Sequence, residues 1–463
     1  MRARDDPAAV AWPQFVSADA SVSTILDGIR ETERLAPDAL LHSQTRQLTR
    51  LLRWSAGHSR FYQRRAWITD VLKELAKRPD HFWDIWRRIP ILAKSDLRAH
   101  GELIHSPKIP AKQYPIAVTR TSGSTGIAVE VRTTTITRAM WNALTVREHI
   151  WRRRDFSKRF GAIRYRAAGD RNPAGVDLPS WGPPAGDLFT TGPSSIIHIG
   201  HDVDTLAEWL VRFDPHYLLT NPSIAEPLLE RVGEMSSRPL CLEEIRFIAE
   251  PVDPEVERRL VDQHGLRVTE IYSANEVGVI AFRCELAGLH VQSESLLVEI
   301  LDDQWQSCAP GETGHVVVTV LHNLATPLIR YDLGDYAIAE EAACACGRGL
   351  PMLRQVRGRV RNLVRTPDGR RSWPVDLAKI RRVPVIRQAQ YVQSSVDTVQ
   401  LNVVSDRPLT NAEQNHAVEA VRSALGYPFN VEVVRVSEIA RGPTGKFEEF
   451  ISRLDEKSPT LGT

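Results

Sequence analysis

Cysteine is scarce, with five residues in a chain of 463. So few, and an odd number, give no disulfide framework. A surplus of one charge is missing as well. Lys and Arg total 59 against 57 Asp and Glu, a formal net charge of +2. Bulk electrostatics therefore supply no pull toward a polyanion, and no nucleic-acid partner is expected. Apolar runs stay short. Val316–Leu321 is typical, far below the ~20 residues a bilayer-spanning helix needs, so no membrane partner is expected. The opening Met1-Arg2-Ala3-Arg4-Asp5-Asp6-Pro7 has none of the apolar stretch of a secretory signal, and a cytoplasmic setting is expected. HExxH, GxSxG, GxGxxG and a Gly-Lys-Ser/Thr phosphate loop are all absent from the sequence, which removes the commonest zinc-protease, hydrolase, dinucleotide and NTPase readings. What remains is ordinary globular usage, 42% apolar and 25% charged, enough chain for about three folding units.

Residues 21–100 read as helical, with Trp67, Val71, Leu72 and Leu75 at helical spacing. The segment from Gly169 to Asp187 holds four Gly and four Pro, too many breakers for regular structure; it suits a pocket rim. Beyond it strands and helices alternate. Strands are expected at Tyr217–Thr220, Ile245–Ala249 and Val268–Tyr272, and helices at Ala225–Val232 and Pro254–Gly265. Thr205-Leu206-Ala207-Glu208 is a capping-box pattern ahead of another helix. Such alternation predicts an α/β fold with a parallel, helix-covered sheet. Residues 289–340 instead predict a smaller β unit, with strands at Leu296–Leu301 and His315–Leu321. The last hundred residues predict a separate α+β lid. Its helix is capped by Thr410 and Glu413 and stopped by Gly426, between strands at Val399–Val404 and Val431–Val436. The expected division is 1–356 and 357–463.

Four short runs carry chemistry. Thr119-Arg120-Thr121-Ser122-Gly123-Ser124-Thr125-Gly126 combines two glycines with hydroxyl donors, a composition that can cradle phosphates or be a plain turn. Tyr272-Ser273-Ala274-Asn275-Glu276 follows a buried strand; ligands of open parallel sheets collect at such strand ends. There an aromatic ring can lie on a purine and a carboxylate can hold Mg²⁺. In Arg330-Tyr331-Asp332-Leu333-Gly334-Asp335 the last carboxylate can accept both ribose hydroxyls. Lys446, on the turn Gly442-Pro443-Thr444-Gly445, can offer a mobile charge to a developing anion.

In order and spacing these runs resemble the adenylate-forming superfamily: acyl-CoA synthetases, firefly luciferase and nonribosomal adenylation domains. The similarity is strongest to the phenylacetate–CoA ligase branch with its capsule-biosynthesis and coenzyme F390 synthetase relatives. Arg53-Trp54, Phe61-Tyr62, Ile89–Leu97, Ala249-Glu250-Pro251, Gly288–Val291 and Cys344–Arg348 support that branch. The resemblance implies a large N-terminal domain and a mobile lid. It makes Thr121, Ser122, Gly123, Ser124, Thr125 and Gly126 the loop over the ATP phosphates. Ala249, Glu250 and Pro251 would border the adenine, Tyr272 would stack on it, Glu276 would hold Mg²⁺ and Asp335 the ribose. Arg359 would open the hinge and steady the nucleotide, and Lys446 would bridge acyl carboxylate and α-phosphate. Ile127 and Ala128 depart from the usual Lys or Glu then Pro, Arg361 from the usual hinge Asp or Lys, and Ile248 from the usual Gly.

The implied activity is acyl-adenylate formation from an aryl or arylacetic acid and ATP, then transfer to coenzyme A. Alternatives are transfer to an amine or carrier protein, and a non-catalytic nucleotide-binding relative. Trp181 and Phe189 are candidates for the acyl pocket. Cys284, His290, Cys344 and Cys346 supply three thiolates and one imidazole, a closed tetrahedral set for structural Zn²⁺ if the fold joins them, and four unrelated residues otherwise. Cys241 and Cys308 are expected to be small buried hydrophobes, and Trp151-Arg152-Arg153-Arg154 a solvated helix face or a contact for coenzyme A phosphate.

Overall fold

The computed structural model describes residues 21–120, 129–165, 172–359, 363–372, 374, 377–442 and 446–454. Its centre is one sheet of twelve strands. Strands Phe160–Arg164, Ser194–His198, Tyr217–Thr220, Glu244–Phe247 and Arg267–Ala274 run parallel. Helices Val203–Phe213, Pro222–Met235 and Pro254–His264 make the crossovers. Tyr217–Thr220 is buried at every position, as befits a strand covered on both faces. Arg267–Ala274 also pairs antiparallel with Gly278–Arg283. From there the sheet continues through Leu289–Val291, Met352–Arg359, Tyr331–Glu340, Thr313–Val320 and Leu296–Leu301. The expected β unit is thus joined edge to edge to the parallel sheet and reaches Arg359.

Three apolar clusters hold the chain. The first packs the N-terminal helices, through Leu48, Leu52 and Trp86, against the antiparallel strands. The second lies between the crossover helices and the parallel strands, and the third fills the C-terminal unit. In that unit Thr398–Ser405 and Asn430–Arg435 pair in parallel around helix Asn411–Leu425. Thr410 and Glu413 cap the helix reciprocally, and Gly426, at φ +67°, ends it in the left-handed region. Among the described residues no helix is long and apolar enough to cross a membrane.

Three local expectations change. The cap of helix Val203–Phe213 is Asp202, whose carboxylate accepts from the Thr205 backbone N–H at 2.8 Å; an acidic side chain three residues earlier offers the better acceptor. Arg152 and Arg154 are buried rather than solvated. The helix stops at Trp151 and Arg153 takes φ +50°, which turns its neighbours inward onto Glu244 and Glu148. Both guanidiniums are engaged there in buried, charge-assisted pairs, so they do not form a surface for coenzyme A. Cys241 is exposed and Cys308 half-buried. Cys241 lies in the surface connection before Glu244–Phe247, where its N–H donates to Asp214.

Candidate active site

Tyr272 lies near the carboxyl end of the last parallel strand, where the sheet changes from parallel to antiparallel pairing. Two strands of the antiparallel half supply its partners. Asp335 and Arg359 face each other in register, so sheet geometry alone places them side by side. The Tyr272 hydroxyl donates to Asp335 Oδ2 at 2.8 Å, and Arg359 Nε lies 3.3 Å from Asp335 Oδ1. Burial pushes the Asp335 carboxyl above its ordinary range, against the opposing pull of Arg359 and Tyr272. Burial, with Asp335 beside it, drives the Tyr272 phenol well up. A carboxylate oxygen has two lone-pair directions, so Asp335 can accept ribose hydroxyls while keeping both partners.

Glu276 is 5% exposed, and one of its oxygens lies 3.4 Å from Lys94 Nζ. The position of Lys94 is fixed from a distance. Leu92 donates to the Arg330 carbonyl at 2.9 Å and accepts from the Asp332 N–H at 3.0 Å. The buried Arg330 guanidinium holds the carbonyls of Arg87 and Ile89. Asp96 then caps helix Lys94–Ile104 at the Ala93 N–H. Motif reading quoted this segment without giving Lys94 a role. The Tyr331 hydroxyl is buried without a hydrogen-bond partner among the described residues, and its phenol is raised by burial and then by Glu276.

The C-terminal unit delivers Lys446 to the same place. The Gly442 N–H donates to the Lys446 carbonyl at 2.8 Å. Burial lowers the Lys446 ammonium pKa, Arg359 adds to that, and Asp335, Glu276 and Glu250 oppose it. Glu250 is the latch. Its carboxylate accepts from Asn221 Nδ2 at 2.8 Å and the Ser223 N–H at 3.1 Å in the body, and from the Phe447 N–H at 2.8 Å in the lid. Arg441 reaches Ser223 Oγ at 3.1 Å and Glu250 at 3.5 Å. The Glu250 side chain is therefore taken up by the lid rather than turned to a base. Ala249 adopts φ +72°, and Pro251 abuts Gly358, where a Cβ would stand 3.2 Å from its ring. Ala249–Pro251 thus borders the strand that bears Arg359.

Thr121–Gly126, Ile127, Ala128 and Arg361 lie outside the described residues. Trp181 and Phe189 do not line this site. The Trp181 indole donates to the Lys158 carbonyl and packs on Phe160 and Tyr217, which begin their strands, whereas Tyr272 nears the end of its own. Phe189 stacks on Phe156 with ring centroids 4.5 Å apart. The segment expected to be irregular carries strand Val176–Leu178 and the short helix Ala185–Leu188, and its Trp181 meets the amino ends of the parallel strands.

Cys284, His290, Cys344 and Cys346 do come together. Their donor atoms all lie within 4.8 Å of one another, with Cys284 Sγ 3.7 Å from Cys344 Sγ and Cys346 Sγ 3.3 Å from His290 Nε2. His290 Nδ1 is 3.1 Å from the Leu350 carbonyl; donation there leaves Nε2 as the free lone pair, the usual outer-shell arrangement of a metal-bound imidazole. A Cβ at Gly288 would stand 2.8 Å from Cys344 Sγ, so glycine is what lets the loop close over the sulfurs. The donor set fits Zn²⁺.

Comparison with known proteins bears on the same architecture. Residues 365–453 match the family model of the CapK C-terminal domain. Over 257 residues the chain is 27% identical to phenylacetate-coenzyme A ligase of Thermus thermophilus, a match that covers 50% of this chain and 58% of that relative's length. Among solved structures, 2-hydroxyisobutyryl-CoA ligase in the postadenylation state with R3-HIB-AMP aligns with a TM-score of 0.69 at 20% identity, over 92% of each chain. The chain shares the fold of that CoA ligase along nearly its whole length. A second adenylate-forming structure, the same ligase in the thioesterification state with 2-HIB-AMP and CoA, aligns at only 0.53, with 22% identity over 89% of each chain.

Proposed function

We propose that this chain is an AMP-forming acid–thiol ligase that activates a carboxylic acid as its acyl-adenylate and passes the acyl group to coenzyme A. The carrying observation is the Tyr272–Asp335–Arg359 cluster at the end of the sheet, with the C-terminal unit tied in beside it through the Phe447 N–H, next to Lys446, on Glu250. A carboxylate is a poor electrophile, since its charge is delocalised and oxide would have to leave. Attack of its oxygen on the α-phosphorus of ATP forms the P–O bond and expels pyrophosphate. Alignment and charge compensation are the main demands of that step. Asp335 and Tyr272 orient the nucleoside, Arg359 secures Asp335, and Lys446 compensates the charge shared by acyl carboxylate and α-phosphate. Glu276 would hold Mg²⁺, which when bound neutralises the phosphates. In the second step a thiol sulfur attacks the acyl carbon and AMP leaves, with the lid turned about the segment after Arg359. We place the body–lid boundary there, between the strand ending at Arg359 and the strand starting at Val364. Cys284, His290, Cys344 and Cys346 would hold a structural Zn²⁺. The branch resemblance favours an aryl or arylacetic acid, and a cytoplasmic setting, where ATP and coenzyme A are both at hand, goes with this reading.

ATP–pyrophosphate exchange against aryl, arylacetic, fatty and amino acids is the direct test; one acid is expected to stand well above the rest. Product formation with coenzyme A, a carrier protein or an amine then identifies the acceptor. The latch gives a sharper expectation. Glu250→Ala removes a charge-assisted hydrogen bond to the lid, an interaction whose loss typically slows a dependent step about 10–100-fold. Adenylation should fall by that much, whereas thioester formation from preformed acyl-adenylate should change far less. An equal fall in both half-reactions would exclude the latch.

A further inference from the structure

Beside Glu276 lies a cavity of about 250 Å³, roughly the volume of eight waters. That is too small for a long fatty chain and ample for a ring with a short substituent. Ala117, Thr119 and Thr133 of a two-stranded antiparallel pair form part of its wall, and two other elements form most of the rest. One is the Asn275–Gly278 turn that carries Glu276; the other is helix Thr135–Trp151, with Val320 closing the space between them. Arg138, Trp141 and Asn142 all line it, as their i, i+3 and i+4 spacing on one helix face permits. Trp141 lies against Gly278, where a Cβ would stand 3.7 Å from the indole, and it presents a flat apolar wall. Arg138 is exposed and Asn142 half-buried, and neither makes a side-chain hydrogen bond or ion pair with another described residue.

From this lining we infer that the acid activated here carries a second, anionic group. The deduction rests on the adenylation reading given above. Trp141 takes the flat body of the acyl group, Asn142 offers a hydrogen bond, and Arg138 pairs with the additional carboxylate. A guanidinium is suited to that role because its fork matches a carboxylate in two parallel hydrogen bonds. A purely apolar aryl acid would leave this cation and amide without a ligand partner. The wall therefore discriminates among acids of equal size by charge rather than by bulk.

The test compares 4-carboxyphenylacetate with its near-isostere 4-methylphenylacetate in ATP–pyrophosphate exchange, using the full chain and its Arg138→Gln and Arg138→Lys variants. Native protein should prefer the dicarboxylate. Arg138→Gln should reduce the ratio of kcat/KM values for the two acids about 10–100-fold, the usual consequence of losing one charged hydrogen-bond partner. Arg138→Lys should retain part of the preference. A native preference for the methyl compound, or a ratio unchanged in Arg138→Gln, overturns the inference and leaves the adenylation reading standing. An equal rise in KM for ATP with either acid also overturns it, since Arg138 would then serve a phosphate. Absence of exchange with every acid, in a chain that still binds ATP, overturns the adenylation reading itself and this inference with it.

Discussion

Lys446→Ala is expected to slow acid-dependent ATP–pyrophosphate exchange by about 10²–10³-fold, the typical effect of removing one donor aimed at developing charge. ATP binding, followed by titration calorimetry, should largely persist. The division follows from where the groups are anchored. Tyr272, Asp335 and Arg359 belong to the body's sheet, and they keep their mutual contacts whether or not the lid supplies an ammonium. Lys446 arrives on a turn held to the body through Phe447 and Glu250, so its loss removes charge from the reacting phosphorus without dismantling the nucleoside site. The variant should also leave thiol attack on preformed acyl-adenylate nearly unchanged. An exchange rate equal to the native one would mean that Lys446 does not face the transferring phosphoryl group.

The second large effect concerns the sulfur cluster. Purified protein is expected to carry one zinc per chain by elemental analysis, and Cys344→Ser or Cys346→Ser should lose it. Structural zinc contributes binding energy that is also folding energy, on the order of 10 kcal/mol in small domains. Here the surrounding sheet is already packed, so only part of that should appear as stability. A contribution of about 3 kcal/mol lowers Tm by roughly 10 °C at the per-kcal shifts of large domains. Activity should fall too, because Cys344 and Cys346 lie in the connection leading into the strand that ends at Arg359. Metal-free native protein, or a serine variant with unaltered Tm, would leave the cluster as thiols alone.

Much of this site was legible in the amino-acid order because its chemistry is carried by residue types in short runs. Tyr272, Glu276, Asp335 and Lys446 stand out as a ring, two carboxylates and an ammonium next to turns or strand ends, and the fold brings them together. The elements of the α/β alternation were legible for a similar reason, since Tyr217–Thr220 is a run of strand-favouring residues and Gly426 follows a capped helical pattern. Lys94 was not, because the bond that places it runs from Leu92 to a strand some 240 residues away, and no local pattern encodes that pairing. Arg152 and Arg154 look the same in sequence whether solvated or buried; only Glu244 on a distant strand distinguishes the two. Trp181 depended on which end of the parallel sheet its loop would meet. That is a property of strand direction, which composition does not carry.

The rung formed by Asp335 and Arg359 has one more consequence. Both of its members lie on neighbouring strands of the central sheet, upstream of the pivot. On the proposed reading, a C-terminal unit turning away to admit a thiol would leave this rung with the sheet, and the bound nucleoside would be retained there between the two chemical events.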